Sequence, residues 1–325
     1  NKAQYPIGIN KKGEPVIGVF ANRTHEVIPI DNCLIQNKKS EEIAKFIIEF
    51  IKEKNISIYD EKKGKGLVRH IVTKVGIKTG EIMCVIVING HKIPNENELV
   101  ENLKTRYPEI KAIVKNINMK NTNVILGQEN INLYGNGYIE DILGEYKFKI
   151  SPLSFYQVNP VQAEKLYNLG VSMAEITKND VVFDLYCGIG TISLFMSKFA
   201  KKVYGIEIVE EAVKMAKENA QNNNVSNTEF FAGDVEIVLD DLINNKGLKA
   251  DVVMFDPPRK GLDKKSIDNI LNIRPKKIVY ISCNPATLIR DLADFENEYD
   301  IKTIIPVDMF PFTSHVECVA TLQLK

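Results

Sequence analysis

The sequence predicts an α/β protein in two parts: a smaller α+β domain over residues 1–150, then a mostly parallel sheet covered by helices over residues 151–325. Three observations carry this expectation. At 325 residues the chain exceeds the roughly 250–300 residues that one core usually supports. Beyond residue 176, short apolar runs alternate with helical stretches through Gly- or Asp-bearing turns, the pattern of strand–helix–strand units. Before residue 150, apolar runs instead flank a tight turn and only two stretches have helical spacing.

Taking the elements in order, "SEEIAKFIIEFIKEKN" (40–55) offers Ser40 as a cap and Ile43, Phe46, Ile47, Phe50 and Ile51 as an apolar stripe. "NENELVENLKTRYP" (95–108) is the second helix. Runs at 67–75 and 82–89 on either side of "GIKTG" read as a hairpin, and 111–118 and 123–126 complete a module of antiparallel strands. Downstream, "DVVFDLY" (180–186), "KVYGIEI" (202–208), "TEFFAGD" (228–234), "DVVMFD" (251–256) and "KIVYISC" (277–283) are the parallel strands. Ligands of such sheets bind beyond the carboxyl ends of the strands, where Asp184, Glu207, Asp234, Asp256 and Cys283 fall.

Lys and Arg total 42 against 42 Asp and Glu, but residues 1–150 hold 23 basic and 18 acidic side chains. That asymmetry favours a polyanion partner for the front of the chain, beside the plainer reading of a solvated surface. No apolar run approaches the roughly 18 residues of a membrane helix. The five cysteines, Cys33, Cys84, Cys187, Cys283 and Cys318, are scattered without a CxxC pair, so neither a disulfide framework nor a resident metal is expected. A reducing cytoplasm and a monomer are the expectations. The first residues lack the pattern of a secretory signal and do not begin with Met, which suggests a fragment or a processed product.

"DLYCGIGTISLFMSKFA" (184–200) is a strand, a glycine turn and a helix. Gly188 and Gly190 permit close approach of a ligand, and Glu207, 17 residues past Gly190, is placed to accept from both hydroxyls of a ribose. The third glycine of a dinucleotide fingerprint is missing, and Asp234 and Asp256 would repel a pyrophosphate. An adenosine ligand without phosphate, S-adenosylmethionine, fits these acids, although Asp234 equally suits a helix cap. In "FDPPRKGLD" (255–263) two prolines hold Asp256 on rigid backbone. Arg259 replaces the aromatic residue typical of amine methylases and is suited to a pyrimidine carbonyl or a phosphate.

C5 of uracil is a poor nucleophile until a thiolate adds at C6, and the C5 proton must later be removed by a base. "YISCNPATLIRDL" (280–292) supplies Cys283, and "PFTSHVECVATL" (311–322) supplies Glu317 or His315. Taken singly, Cys283 reads better as an inert packed thiol and "SFYQV" as a core strand than either does as a functional group.

Together these stretches resemble the RNA 5-methyluridine (uracil-5-) methyltransferases that act on 23S ribosomal and transfer RNA. "SFYQVNP" (154–160), "DLYCGIGT", "DPPRKG", "YISCNPATLIRDL" and "FPFTSHVECVA" are similar to that family's signatures, and "NKAQYPIG" and "RTHEVIPIDNCLIQ" to its central domain. The resemblance implies a Rossmann-like catalytic domain using S-adenosylmethionine, with Cys283 as nucleophile and Glu317 as base. It implies Gln157, Tyr186, Gly188, Glu207, Asp234 and Asp256 at the cofactor, with Phe155, Tyr156, Gln157 and Arg259 at the extruded base. The expected substrate is 23S ribosomal RNA. The alternatives are the transfer-RNA T-loop, a cytosine-5 methylase and a silent RNA-binding factor. Family members usually begin with an OB-like (TRAM) domain that has no counterpart in these residues, and cluster-bearing members use four cysteines. Cys33 resembles the fourth, so an iron–sulfur cluster is expected only in a longer parent.

Overall fold

Apolar side chains recur at strand spacing and at helix spacing in both halves of the chain, and the computed structural model, which describes residues 1–325, sorts them into two units. The first comprises Asn1–Ile142 and Lys149–Leu153, the second Leu143–Phe148 and Ser154–Lys325.

In the first unit the chain forms β1 (Lys2–Ile9), β2 (Pro15–Phe20), β3 (Val27–Pro29), α1 (Lys38–Glu53), β4 (Val68–Val75), β5 (Ile82–Ile88), α2 (Glu96–Arg106), β6 (Ile110–Ile117) and β7 (Glu129–Tyr134). The strands make one sheet in the order β3-β2-β1-β4-β5-β6-β7. On α1, Ile43, Ile47 and Ile51 are buried at i, i+4 spacing, and they join Tyr5, Ile71, Ile86 and Leu103 in one core. The helix starts earlier than its pattern suggested. Asn37 caps it by accepting from Lys39 N–H at 2.9 Å, and Ser40 lies inside the helix, buried. Two expectations fail here. β5 and β6 pair in parallel, because the stretch joining them contains α2 and is long enough for a crossover. Residues 123–126 are loop: Asn118 Nδ2 donates to the carbonyls of Val124 and Ile125 at 2.7 and 3.0 Å, and β7 takes the edge position instead.

The short strands β8 (Ile139–Leu143) and β9 (Tyr146–Ile150) follow. The second unit then forms α3 (Pro160–Ala174), β10 (Val181–Leu185), α4 (Thr191–Ser197), β11 (Lys202–Glu207), α5 (Glu210–Asn222), β12 (Thr228–Ala232), α6 (Val235–Asp240), a π-helical turn (Asp241–Asn245), β13 (Val252–Phe255), α7 (Lys264–Ile273), β14 (Lys277–Ser282), α8 (Pro285–Phe295), β15 (Tyr299–Val307) and β16 (Glu317–Leu324). This is the mixed α/β architecture expected, its sheet ordered β12-β11-β10-β13-β14-β16-β15. The pairs from β12 to β14 are parallel, and β16 runs antiparallel to both β14 and β15. Phe183, Leu185, Val253, Phe255, Ile278 and Tyr280 form near-continuous apolar strands buried under the helices. Strand order reverses at β10, between β11 and β13, which opens a crevice at the carboxyl ends.

Candidate active site

A cavity of about 630 Å³ occupies that crevice, lined by Phe155, Gln157, Tyr186, Gly188, Glu207, Asp234, Asp256, Arg259, Cys283 and Glu317 among others, all in the second unit. Its volume lies within the ~300–1,000 Å³ usual for small-molecule sites.

At the β10 end, Tyr186 takes a left-handed φ of 65°, and Gly188 and Gly190 follow at 55° and 81°. A Cβ on Gly188 would meet nothing within 4 Å, so the turn leaves open space for a ligand. Glu207, at the tip of β11, is held by two backbone donors: Gly188 N–H to Oε2 at 3.1 Å and Val209 N–H to Oε1 at 2.9 Å. A carboxylate fixed this way keeps lone pairs for a diol. Asp234 serves both readings at once, since it caps α6 by accepting from Glu236 N–H at 3.0 Å and also lines the cavity. Asp184 departs from the rim expected of it. It is buried behind the turn, where Ser193 Oγ donates to it, and burial pushes its carboxyl up to about 7.

At the other end, register brings the two proposed reactive groups together. β14 and β16 pair Ile281 with Val319 and Ser282 with Cys318, so the next positions along the two antiparallel strands are Cys283 and Glu317. Both line the cavity, whereas Cys318 turns into the core. Cys283 is half-buried and directly precedes the helix cap Asn284, which accepts from Ala286 N–H at 3.1 Å with Pro285 opening α8. Burial, then the charges of Glu317 and Asp256, raise the Cys283 thiol, and Arg259 acts against them. Glu317 is 2 % exposed, its Oε2 has no hydrogen-bond partner, and burial pushes it up to about 7 while Arg259 pulls it down. Asp256 is raised well above the carboxylate range by burial, then by Glu317 and Asp184.

The two aromatics of "SFYQ" part company. Phe155 is 68 % exposed at the cavity, but Tyr156 is buried against Phe148, ring centres 6.4 Å apart, and does not line it. Stacking by Tyr156 is therefore not offered by this geometry. His315 is exposed on the turn before β16, edge-on to Phe310, and is not among the lining residues. Cys33 sits between β3 and α1, its N–H donating to Glu41 Oε2 at 3.3 Å.

Sequence reasoning missed a clamp that fixes the backbone of the loop carrying Arg259. Asp291 on α8 is 1 % exposed and accepts from Leu262 N–H at 2.9 Å, Tyr280 Oη at 2.7 Å and Arg290 Nε at 2.8 Å. Arg290 in turn donates to the carbonyls of Lys260 at 2.8 Å and Leu262 at 3.3 Å, and Asn284 Nδ2 to that of Arg259 at 3.2 Å. The helix that follows Cys283 thus grips the loop after Asp256. Gly261, at φ 77°, is required there, because a Cβ would lie 2.4 Å from Asp291 Oδ2. The signal available in the sequence was the helical spacing that puts Asp291 on one face with Leu288, Leu292 and Phe295.

The model of the tRNA (uracil-5-)-methyltransferase family matches residues 19–325. The chain belongs to this family. Its relatives include uncharacterised RNA methyltransferases of Caldanaerobacter subterraneus, 49% identical over 99% of this chain and 71% of the relative, and of Clostridium acetobutylicum, 49% identical over 99% and 70%. Among solved structures, the tRNA (uracil-54, C5)-methyltransferase of Pyrococcus abyssi in complex with S-adenosyl-L-homocysteine matches with a TM-score of 0.80 at 31% identity, over 99% of this chain and 75% of that one. The protein is accordingly an S-adenosylmethionine-dependent RNA methyltransferase of the uracil-5 family. No helix is long and apolar enough to cross a membrane.

Proposed function

We propose that this chain methylates C5 of a uridine in 23S ribosomal RNA by covalent catalysis, with Cys283 as nucleophile and Glu317 as base. The observation that carries the mechanism is the placement of Cys283 and Glu317 opposite each other, one step beyond the Ser282–Cys318 pair, on one cavity with Glu207. When bound, S-adenosylmethionine would supply the methyl group from its sulfonium and leave as S-adenosylhomocysteine. Cys283 gives up its proton to solvent and forms the Sγ–C6 bond, which moves the C5=C6 electron pair into an enolate over C5 and O4. Arg259, at the cavity rim, is suited to the charge that gathers on that oxygen. Once C5 carries the methyl group, Glu317 takes the C5 proton. The C–H pair restores C5=C6, the C6–S bond breaks, and the thiolate is regenerated. Gln157, Tyr186, Gly188, Asp234 and Asp256 line the same cavity and are assigned to the cofactor, and Phe155, with an exposed ring, to stacking on the extruded base.

A second reading has its own support: the Pyrococcus abyssi relative is a transfer-RNA enzyme. Methylation of 23S ribosomal and transfer RNA transcripts with tritiated cofactor, followed by nucleoside mass spectrometry, separates the two. The proposal expects 5-methyluridine in the ribosomal transcript, and Cys283→Ala abolishing it while the variant still binds S-adenosylmethionine. Label found only in transfer RNA would transfer the assignment, and full turnover by Cys283→Ala would remove the mechanism.

A further inference from the structure

The first unit contains a separate cavity of about 420 Å³ that the chemistry above does not use. Its walls come from three distant stretches: Phe20 at the end of β2 with Arg23, Thr24 and His25 after it, Glu61 with Arg69 and His70 at the start of β4, and Thr122 to Ile125 after β6. Arg69, 3 % exposed, builds it. One guanidinium nitrogen donates to the carbonyls of Asn118 and Lys120 at 2.9 and 2.8 Å, another to both oxygens of Glu61 at 3.0 and 3.1 Å, and the group lies 4.3 Å over the Tyr59 ring. Together with the Asn118 bonds to Val124 and Ile125, this pins the 118–125 loop as a preformed wall. Across the mouth, His25 Nε2 meets Asn123 Oδ1 at 3.3 Å.

His70 is 3 % exposed in the wall, and neither ring nitrogen has a protein partner. Burial, then the charge of Arg69, lowers it to about 4, so the imidazole is neutral and offers one donor and one acceptor. A buried pair of unmade hydrogen bonds is costly, and native structures rarely keep one without a use. Phe20 stands edge-on to both His70 and His25, at 6.0 and 5.4 Å. Arg23 is exposed at the rim and Lys120 is exposed on the pinned loop. Aromatic faces, a donor–acceptor pair, an amide and a rim cation are the complement of a nucleobase with its flanking phosphate.

We propose that this cavity binds one unstacked nucleobase of the RNA substrate, other than the methylated uridine. Phe20 and His25 yield to admit it, its hydrogen-bonding edge reaches His70 and Asn123, and Arg23 takes the adjoining phosphate. The inference rests on the family's RNA substrate and not on the Cys283 chemistry.

The test uses the full chain and a methylatable RNA, with binding read by filter retention without cofactor and steady-state methylation read with it. Asn123→Ala and Phe20→Leu are each expected to raise the RNA Kd and KM about tenfold with kcat unchanged. His70→Leu, which keeps apolar volume in the wall, is expected to do the same without lowering Tm. RNA carrying 4-thiouridine is expected to crosslink to the peptide containing Thr122–Ile125. Wild-type Kd and KM in all three variants would overturn the proposal. So would equilibrium dialysis showing that uridine or adenosine monophosphate binds as tightly as RNA, with the variants losing only the mononucleotide, which would make the cavity a free-nucleotide site. Because RNA binding is read without methyl transfer, the outcome stays interpretable even if Cys283→Ala retains turnover.

Discussion

Glu317 is assigned to remove a proton, and its burial should make it costly to keep ionised. Its carboxyl is pushed from an ordinary 4.5 to about 7, chiefly by burial at 2 % exposure. Because the folded-state value is raised, the protonated group favours the folded state below pH 4.5, and that contribution is lost as pH rises through 7. At about 1.4 kcal/mol per unit, the loss is about 3 kcal/mol above pH 7. Glu317→Gln removes this dependence. The variant should match wild type near pH 4.5 and exceed it by about 3 kcal/mol at pH 8, while turnover falls by about 10²–10⁴ and RNA–protein adduct accumulates because the C5 proton stays in place. Chemical denaturation at a series of pH values measures the stability difference, and denaturing gels measure the adduct. A Glu317→Gln chain that is less stable than wild type at pH 8, or a difference that does not grow between pH 4.5 and 7, would refute the reasoning that burial sets the ionisation of this group.

Release of methylated RNA from the covalent adduct in a single turnover should rise with pH through an apparent pKa of about 7, and Arg259→Leu should move that limb to higher pH, because the lost guanidinium lowers Glu317. Asp291→Asn should cost about 2–3 kcal/mol of stability, since it removes a buried acceptor of charge-assisted bonds. It should also slow methylation by freeing the Arg259 loop, while Tyr280→Phe, which deletes one donor to Asp291, should cost only about 1 kcal/mol by thermal denaturation. Glu207→Gln should weaken S-adenosylmethionine binding about tenfold or more by calorimetry and leave RNA affinity unchanged, if the charged acceptor proposed for the ribose is what the substitution removes.

What was legible in the sequence was whatever depends on local pattern. β10, β11, β13 and β14 are short apolar runs, with Glu207 ending β11, Asp256 directly after β13 and Cys283 directly after β14, so their sheet and the rim that carries those three residues were readable from residue order alone. The nearness of Cys283 to Glu317 was not, because two residues 34 positions apart meet only through the antiparallel register of β14 and β16. Tyr156 and Phe155 show the limit on a smaller scale: in a segment without regular structure, neither the period of two nor that of 3.6 says which ring faces in. The same limit hid the parallel pairing of β5 with β6, since apolar runs alone do not encode strand direction. Asp291 was missed for another reason. An acid on a helix reads as solvated surface until the Tyr280 hydroxyl and the Leu262 amide are seen to converge on it.

The central claim, that the Cys283 sulfur becomes bonded to the pyrimidine, is tested most directly by incubating the full chain with S-adenosylmethionine and substrate RNA carrying 5-fluorouridine at the target position. Fluorine at C5 has no proton for Glu317 to take, so the account predicts a stable RNA–protein adduct whose mass maps to the peptide containing Cys283. Recovery of free protein and free RNA under denaturing conditions, or an adduct on any other residue, would contradict it.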